Sequence, residues 1–426
     1  MRRERILFFR ALVVVTNKNI FAFWYWWYNK FTMFFSGKKE KLETILLCDA
    51  GSGSVTLALL QIKNNKPIII WHKNSALQIR DSGKTIEEKK SLLKTIQTLI
   101  KDAELFQRKN KDLAKPTKAF VTLSAPWYLS ETHRVVIKND KPTIFTKDSL
   151  DAELKKNSLL LEEKAKEKSS SVAHYFSDGS QMIEKSILNI KINGYEVDSA
   201  LEKSAKELSM DLFMSISPKD IFVGIDNLFK ESFFDLDVKV HTFPMVHLLA
   251  LRNVKTKVNN VILIDVSGST TDITKIENGA IVDSVHIPMG KKSFVNAIMK
   301  GYSVDRYIAE SMLRLYFSGV SSVRESADVD FMLKDTELLW KKIVSEKIND
   351  MQKDGYSCTE HIVSSDQDML EYIKHSIENI SSNKNKELHC VSITSTIQMY
   401  NDMVDYSVLG ECDPFIALES IYVKNI

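Results

Sequence analysis

Two stretches of this sequence combine an acid, glycines and hydroxyls in a way that suits phosphate chemistry. The first, Asp49-Ala50-Gly51-Ser52-Gly53-Ser54, follows the β-prone run Thr44 to Cys48. The second, Asp265-Val266-Ser267-Gly268-Ser269-Thr270-Thr271-Asp272, follows Val261 to Ile264, and its leading acid lies 216 residues after Asp49. A glycine-rich turn lets backbone N–H groups come close to phosphate oxygens, and serine adds a hydroxyl donor. The candidate phosphate contacts are therefore Gly51, Ser52, Gly53 and Ser54 in one stretch and Gly268, Ser269, Thr270 and Thr271 in the other. A carboxylate cannot face phosphate without repulsion, so Asp49 and Asp265 call for Mg²⁺ or its water shell between them and the ligand.

Each acid must be carried on the end of a strand. Val55 to Ile62 and Ile68 to Trp71 read as the two strands after the first turn. Ile273 to Ile276 and Ala280 to Ile287 read as those after the second, with Glu277-Asn278-Gly279 between them. One Gly-Ser turn between strands is usually structural. Two copies, each with Asp closing an apolar strand and each followed by a hairpin, predict a duplicated α/β fold with one hairpin per lobe.

The pair resembles the two phosphate motifs of the actin, hexokinase and heat-shock-70 superfamily. Ile264 to Asp272, Gly279 and Ile287-Pro288-Met289-Gly290 are similar to the second motif of bacterial actin-like proteins, above all the cell-division actin homologue and the actin-like subunit of type IV pilus assembly. The family's Pro-x-Gly-Gly turn here reads Pro288-Met289-Gly290-Lys291. Tyr307 to Arg314 resembles the family's Ala-Glu-x-x-x-Lys helix, which implies a ribose and adenine role for Glu310 and Arg314, with Gly290 beside them. Without the resemblance the same helix is an ordinary amphipathic one with a solvated pair. Val238 to Val254 resembles the helix that connects the lobes, and Asp413 to Leu418 the start of the last helix. The implied fold class is α/β: a two-lobed actin-like ATPase fold of duplicated ribonuclease-H-like domains with a small strand-helix-strand-strand insert. The implied cofactors are ATP and Mg²⁺.

Composition is consistent with a folded chain of this kind. Hydrophobic residues make up 44% and charged residues 27%, and the net charge of +3 gives no case for nucleic acid. Four dispersed cysteines and nine dispersed histidines show no metal-ligand or redox spacing, so zinc chemistry and a disulfide framework are not expected. The expected divisions are 1–41 as an N-terminal extension, 42–117 and 207–245 as the first lobe, 118–206 as the insert, and 246–426 as the second lobe with a C-terminal return helix. Asp211 to Ser217 and the helix from Pro218 read as the return to the first lobe. Residues 1–32 hold six basic side chains, one acid and an aromatic block from Phe21 to Tyr28. Arg10 and Lys18 interrupt any span, so an interfacial anchor fits better than a transmembrane helix; Met33 as the true start is the alternative.

One departure from the family stands out. The adenosine motif, a strand followed by Gly-Gly, has its counterpart in His361-Ile362-Val363 followed by Ser364-Ser365-Asp366. Side chains there are expected to crowd a nucleotide, and Asp366 to add unfavourable charge. No residue identifies itself as positioning an attacking water; His241 and His247 qualify by location alone, so hydrolysis is expected to be slow or absent. The resemblance thus implies a cytoplasmic scaffold at the inner face of the membrane that binds ATP, self-associates and pairs with envelope proteins. Division ranks narrowly first, on the hairpin Ser267 to Asp272. The pilus adaptor ranks second, favoured because the chain stops at Ile426 with no amphipathic membrane helix. A sugar or acetate kinase on the same fold ranks third, since only 14 glycines are present. Membrane contact would come through residues 1–32 or through a partner.

Overall fold

A computed structural model describes residues 42–78, 85–166, 172–255, 258, 260–320, 322–352, 358, 360–382, 393–407 and 413–426. The expected interfacial anchor and the Met33 start lie outside them. Among the described residues the first elements are the meander β1 (Thr44–Ala50), β2 (Ser54–Lys63) and β3 (Lys66–Ala76), followed by α1 (Thr85–Lys109) and β4 (Pro116–Leu123). Next come β5 (Leu129–Ile144), α2 (Lys147–Lys166), a 3-10 turn (Ala173–Phe176), β6 (Ser180–Ile192), β7 (Tyr195–Glu196) and β8 (Ser204–Pro218). Helix α3 (Lys219–Ser232), β9 (Asp237–Thr242) and α4 (Phe243–Val254) lead to a second meander, β10 (Val261–Val266), β11 (Thr271–Glu277) and β12 (Ala280–Ile287). Helices α5 (Lys291–Tyr302), α6 (Arg306–Phe317) and α7 (Val323–Met351) precede β13 (Glu360–Ser365), α8 (Leu370–Ser382) and β14 (Ile393–Thr396). The 3-10 turn Ile397–Met403, β15 (Asp405–Tyr406) and α9 (Pro414–Lys424) complete the order.

The expected duplication is explicit in the sheets. One has the order β15-β3-β2-β1-β4-β9 and the other β12-β11-β10-β13-β14. In each, an antiparallel meander is extended by two parallel strands on the far side of its first strand. Parallel neighbours need crossover connections, and covering helices bury both faces of the sheet, which is why β1 and β10 are buried along their whole length and mostly apolar up to Asp49 and Asp265. The meander turns share one device. Asn64 and Asn65 (φ 51° and 62°) and Asn278 and Gly279 (φ 50° and 78°) adopt the left-handed pairs that two-residue hairpins require.

A third sheet, β5-β8-β6-β7, forms the insert together with α2. Two boundaries differ from the reading above. Strand β4 runs parallel to β1 within the first sheet, so the insert begins after it rather than at residue 118. Strand β8 is central to the insert sheet, pairing with β5 and β6 as far as Pro218, so Asp211 to Ser217 is not yet a return to the first lobe. The cause of the second misreading is physical: residues 210–218 are buried throughout where the insert seats on the first lobe, and a wholly buried strand shows no alternation.

The end of the chain rejoins its beginning. Strand β15 pairs with β3, and α9 packs on α4 and β1. Asp413 caps α9, accepting from the N–H groups of Phe415 and Ile416 at 3.0 and 3.2 Å, with Pro414 in the first turn where its missing N–H costs nothing.

Candidate functional site

Strand registry sets up two polar rows, buried at their centres. In the first sheet Asn74, Thr56, Asp49, Thr122 and His241 stand opposite one another across five strands. In the second sheet the equivalent row is His286, Asp272, Asp265 and Ser364. Residues in register share a face, so each hairpin acid sits amid neighbouring polar groups near the carboxyl end of its strand, where α/β folds place their ligands.

Between the rows lies a cavity of about 630 Å³. Asp49, Gly51, Ser52, Gly53 and Ser54 line it from the first lobe, and Asp265, Gly268 and Ser269 from the second. Glu310, Arg314 and Ser365 line it too. The structure therefore gathers most of the residues singled out from sequence. Thr270 and Thr271 are placed elsewhere: the Thr270 hydroxyl donates to Ala125 O at 3.2 Å, while Thr271 donates to Met289 O and accepts from Trp340 Nε1 at 2.7 and 3.0 Å. Both hydroxyls hold the second hairpin rather than face the cavity. Gly290 also stands behind it. A Cβ there would come within 2.3 Å of Ser267 O and 2.8 Å of Thr270 N, so Gly290→Ala must displace the hairpin. We expect that variant to lose about 2 kcal/mol of stability in urea unfolding, within the range for overpacked sites.

The two hairpins touch. Ser269 N–H donates to Ser52 Oγ at 2.8 Å, and the Ser52 and Ser267 hydroxyls share a hydrogen bond of 2.9 Å. Beside them a Cβ built on Gly268 would meet Gly53 Cα at 2.4 Å, so only glycine permits this approach. Ser52, 3% exposed, thus sits between the Ser269 N–H and the Ser267 hydroxyl of the opposite lobe. Ser267 was not among the residues singled out, although its place between Asp265 and Gly268 was a signal. If a phosphoryl oxygen competes for that place, Ser52→Ala should tighten Mg·ATP binding about fivefold by calorimetry, from a net hydrogen bond of about 1 kcal/mol.

The expected crowding at Ser364 and Ser365 does not occur. Ser364 Oγ donates to Asp265 Oδ1 at 2.5 Å and Ser365 Oγ to Val266 O at 2.9 Å, so both hydroxyls turn into the sheet. Asp366 is not an uncompensated charge either. Lys291, in place of the family's second glycine, donates to Asp366 at 2.9 Å and to both oxygens of Asp368 at 2.8 Å. Burial alone would lower the Lys291 pKa, but Asp366 and Asp368 outweigh it and raise the value. Glu310 pairs with Arg306 at 2.8 Å, a neighbour on α6 that also lines the cavity.

The acids are held in an unusual state. Burial, reinforced by Asp413, Asp265 and Asp366, pushes Asp49 well above the carboxylate range. Burial and the neighbouring Asp272 push Asp265 to about 8, against the opposing Ser364 hydrogen bond. Asp413 and Glu419, brought in by α9, are also raised by burial. Asp49 Oδ1 is buried with no hydrogen-bond partner among the described residues. An orphaned carboxylate oxygen and an all-oxygen donor set suit Mg²⁺, which binds through one or two carboxylates plus phosphates. No group of three metal-ligating side chains occurs among the described residues, and the two acids of the hairpins fit the more open arrangement. Of the two histidines, His247 is fully buried and driven down to about 3 by desolvation, and His241 is engaged by Glu184 and Tyr422 at 3.2 Å each. Neither lines the cavity.

Comparison with solved structures places this geometry. The chain superposes on a PilM-PilN type IV pilus biogenesis complex with a TM-score of 0.58 at 10% identity, covering 89% of this chain and 96% of that one. The fold is that of the actin-like ATPases. Ethanolamine utilization protein EutJ from Carboxydothermus hydrogenoformans (TM-score 0.41, 10% identity, 84% of this chain and 88% of that one) is a more distant match. So is (R)-2-hydroxyglutaryl-CoA dehydratase component A of Acidaminococcus fermentans (TM-score 0.36, 11% identity, 90% and 100%), and only the first bears on the fold. No family model and no curated protein sequence matches the chain. Within the actin-like architecture the cavity lies between the lobes, and both hairpins reach it. No helix among the described residues is long and apolar enough to cross a membrane.

Proposed function

We propose that the chain is an actin-like adaptor that binds a nucleotide with Mg²⁺ between its lobes and grips a partner protein of an envelope assembly machine of the type IV pilus kind. The carrying observation is the cavity itself, in which two duplicated hairpins present glycine turns, hydroxyls and buried acids to one space of about 630 Å³. Asp49 and Asp265 would hold the ion, which would neutralise phosphate charge. Ser54 and Ser269 would contact phosphates, the latter once Ser52 gives up the Ser269 N–H, while Arg314, Glu310 and Ser365 flank the space left for a nucleoside. The likeness to a PilM-PilN complex supports the adaptor reading over the division scaffold ranked first from sequence, which retains only the hairpin Ser267 to Asp272 in its favour. Self-association and a place at the inner face of the membrane belong to the same proposal. Phosphate transfer is not part of the proposal.

Calorimetry of the full chain with Mg·ATP tests the reading. Micromolar binding that is lost in Asp265→Ala supports it. A folded chain with no heat of binding at millimolar nucleotide overturns the nucleotide half. A panel of sugars and carboxylates with radiolabelled ATP should show no phosphorylated product.

A further inference from the structure

A continuous run of side chains joins the two hairpins by a second route, and that route passes through the insert. Trp127 Nε1 donates to Gly51 O of the first hairpin at 3.0 Å. The Trp127 ring meets Tyr175 edge-on, with centroids 5.4 Å apart and planes at 81°. Tyr175 belongs to the 3-10 turn that feeds β6 of the insert sheet, and its hydroxyl donates to Glu88 Oε2 at 2.5 Å. Glu88, on α1, accepts from Lys292 Nζ at 3.0 Å through its other oxygen. Lys292 opens α5 in the second lobe, and its own N–H donates to Gly268 O of the second hairpin at 2.8 Å. The middle of the chain is shielded: Trp127, Tyr175 and Glu88 are 1%, 6% and 8% exposed, while the Lys292 side chain is 19% exposed. Lys89, next to Glu88, anchors the same region to Asp220 at 2.9 Å and to Asp178 at 3.8 Å.

Such a loop has a mechanical consequence. The hairpins cannot part while both lobes keep hold of Glu88, because Lys292 moves with Gly268 and Trp127 with Gly51. A carboxylate that loses its lysine in a buried setting becomes costly, so Glu88 must change its hold on Tyr175 as well. We propose that the chain Gly51–Trp127–Tyr175–Glu88–Lys292–Gly268 transmits the separation of the hairpins to the insert, so that the seating of β6 on the first lobe depends on whether the hairpins touch. From the function proposed above it borrows only the idea that a ligand parts the hairpins.

The test is hydrogen–deuterium exchange of residues 172–192 in the full chain. Gly268→Ala forces the hairpins apart without any ligand, since its Cβ would lie 2.4 Å from Gly53 Cα. It should raise exchange in 172–192 about tenfold, a local opening remote from the altered residue. Tyr175→Phe should do likewise, and the double variant should show no further rise, because coupled positions are not additive. Lys292→Met, which introduces no clash, cuts the chain at the other end and should give the same non-additivity with Tyr175→Phe. Independent, multiplying effects in both pairs overturn the proposal, as does an effect of Gly268→Ala confined to the hairpins. Mg·ATP is then added to the unaltered protein. Heat of binding with unchanged exchange in 172–192 overturns the transmission and leaves the nucleotide reading standing. No heat, with Gly268→Ala still transmitted, defeats the nucleotide reading and leaves the transmission standing.

Discussion

Asp265→Asn is expected to make the unliganded protein more stable at pH 8 while weakening its Mg·ATP affinity about a hundredfold, the upper end for loss of a metal-site partner. The two effects share one cause. Asp265 is buried, and burial with Asp272 nearby raises its pKa from about 3.8 to about 8. A carboxyl whose folded value lies above its unfolded value binds more protons when folded. Its contribution to stability is complete below the unfolded value and is lost as pH rises towards the folded one, at up to about 1.4 kcal/mol per pH unit. Between pH 4 and 8 Asp265 therefore opposes folding increasingly, and Asn, which keeps the shape and carries no charge, removes that slope. Mg²⁺ requires the ionised acid, so its binding should release protons and tighten as pH rises from 6 to 9. Thermal melts across that range, with and without Mg·ATP, check both signs. A pH-independent affinity in the unaltered protein, or a less stable Asp265→Asn, would sink the account.

Lys291→Ala is the second large effect. Lys291 neutralises two acids that border the cavity. Its loss leaves Asp366 and Asp368 facing any phosphate. Mg·ATP binding should weaken about thirtyfold, or roughly 2 kcal/mol, a figure discounted from the cost of a fully buried unpaired charge because Asp366 is 38% exposed. Calorimetry of Lys291→Ala/Asp366→Asn/Asp368→Asn should recover most of the loss. If the triple variant binds no better than the single one, the lysine acts on the ligand directly.

These expectations depend on features that differ in how far the sequence shows them. The hairpin acids could be read directly because strand, turn and strand are local in sequence, and their duplication reinforced each copy. The Asn-Gly turn at 278–279 was legible for the same reason. What the sequence hides is contact across long separations. Nothing local shows that the Ser364 and Ser365 hydroxyls turn into β10, because that depends on the parallel register of two strands about a hundred residues apart. Nor does it show that Ser52 bonds Ser269, since both carry the same local signature as phosphate ligands. Strand β8 was assigned to the wrong sheet because its final residues are buried from both sides.

The return of α9 and β15 to the first sheet bears on how the protein is made. Thr56 Oγ1 donates to Asp413 at 3.0 Å across 357 residues, and Glu419, buried on the same helix, interacts electrostatically with Asp49. During synthesis, β1 to β4 leave the ribosome long before the strand and helix that cover them. The first lobe must wait as an incomplete sheet with an open edge at β3, a form that invites capture by other chains. Only when residues 405–424 emerge do Asp413 and Glu419 reach the first hairpin. Nascent chains halted before that point should depend on chaperones, and the first lobe is finished last although its hairpin is translated first.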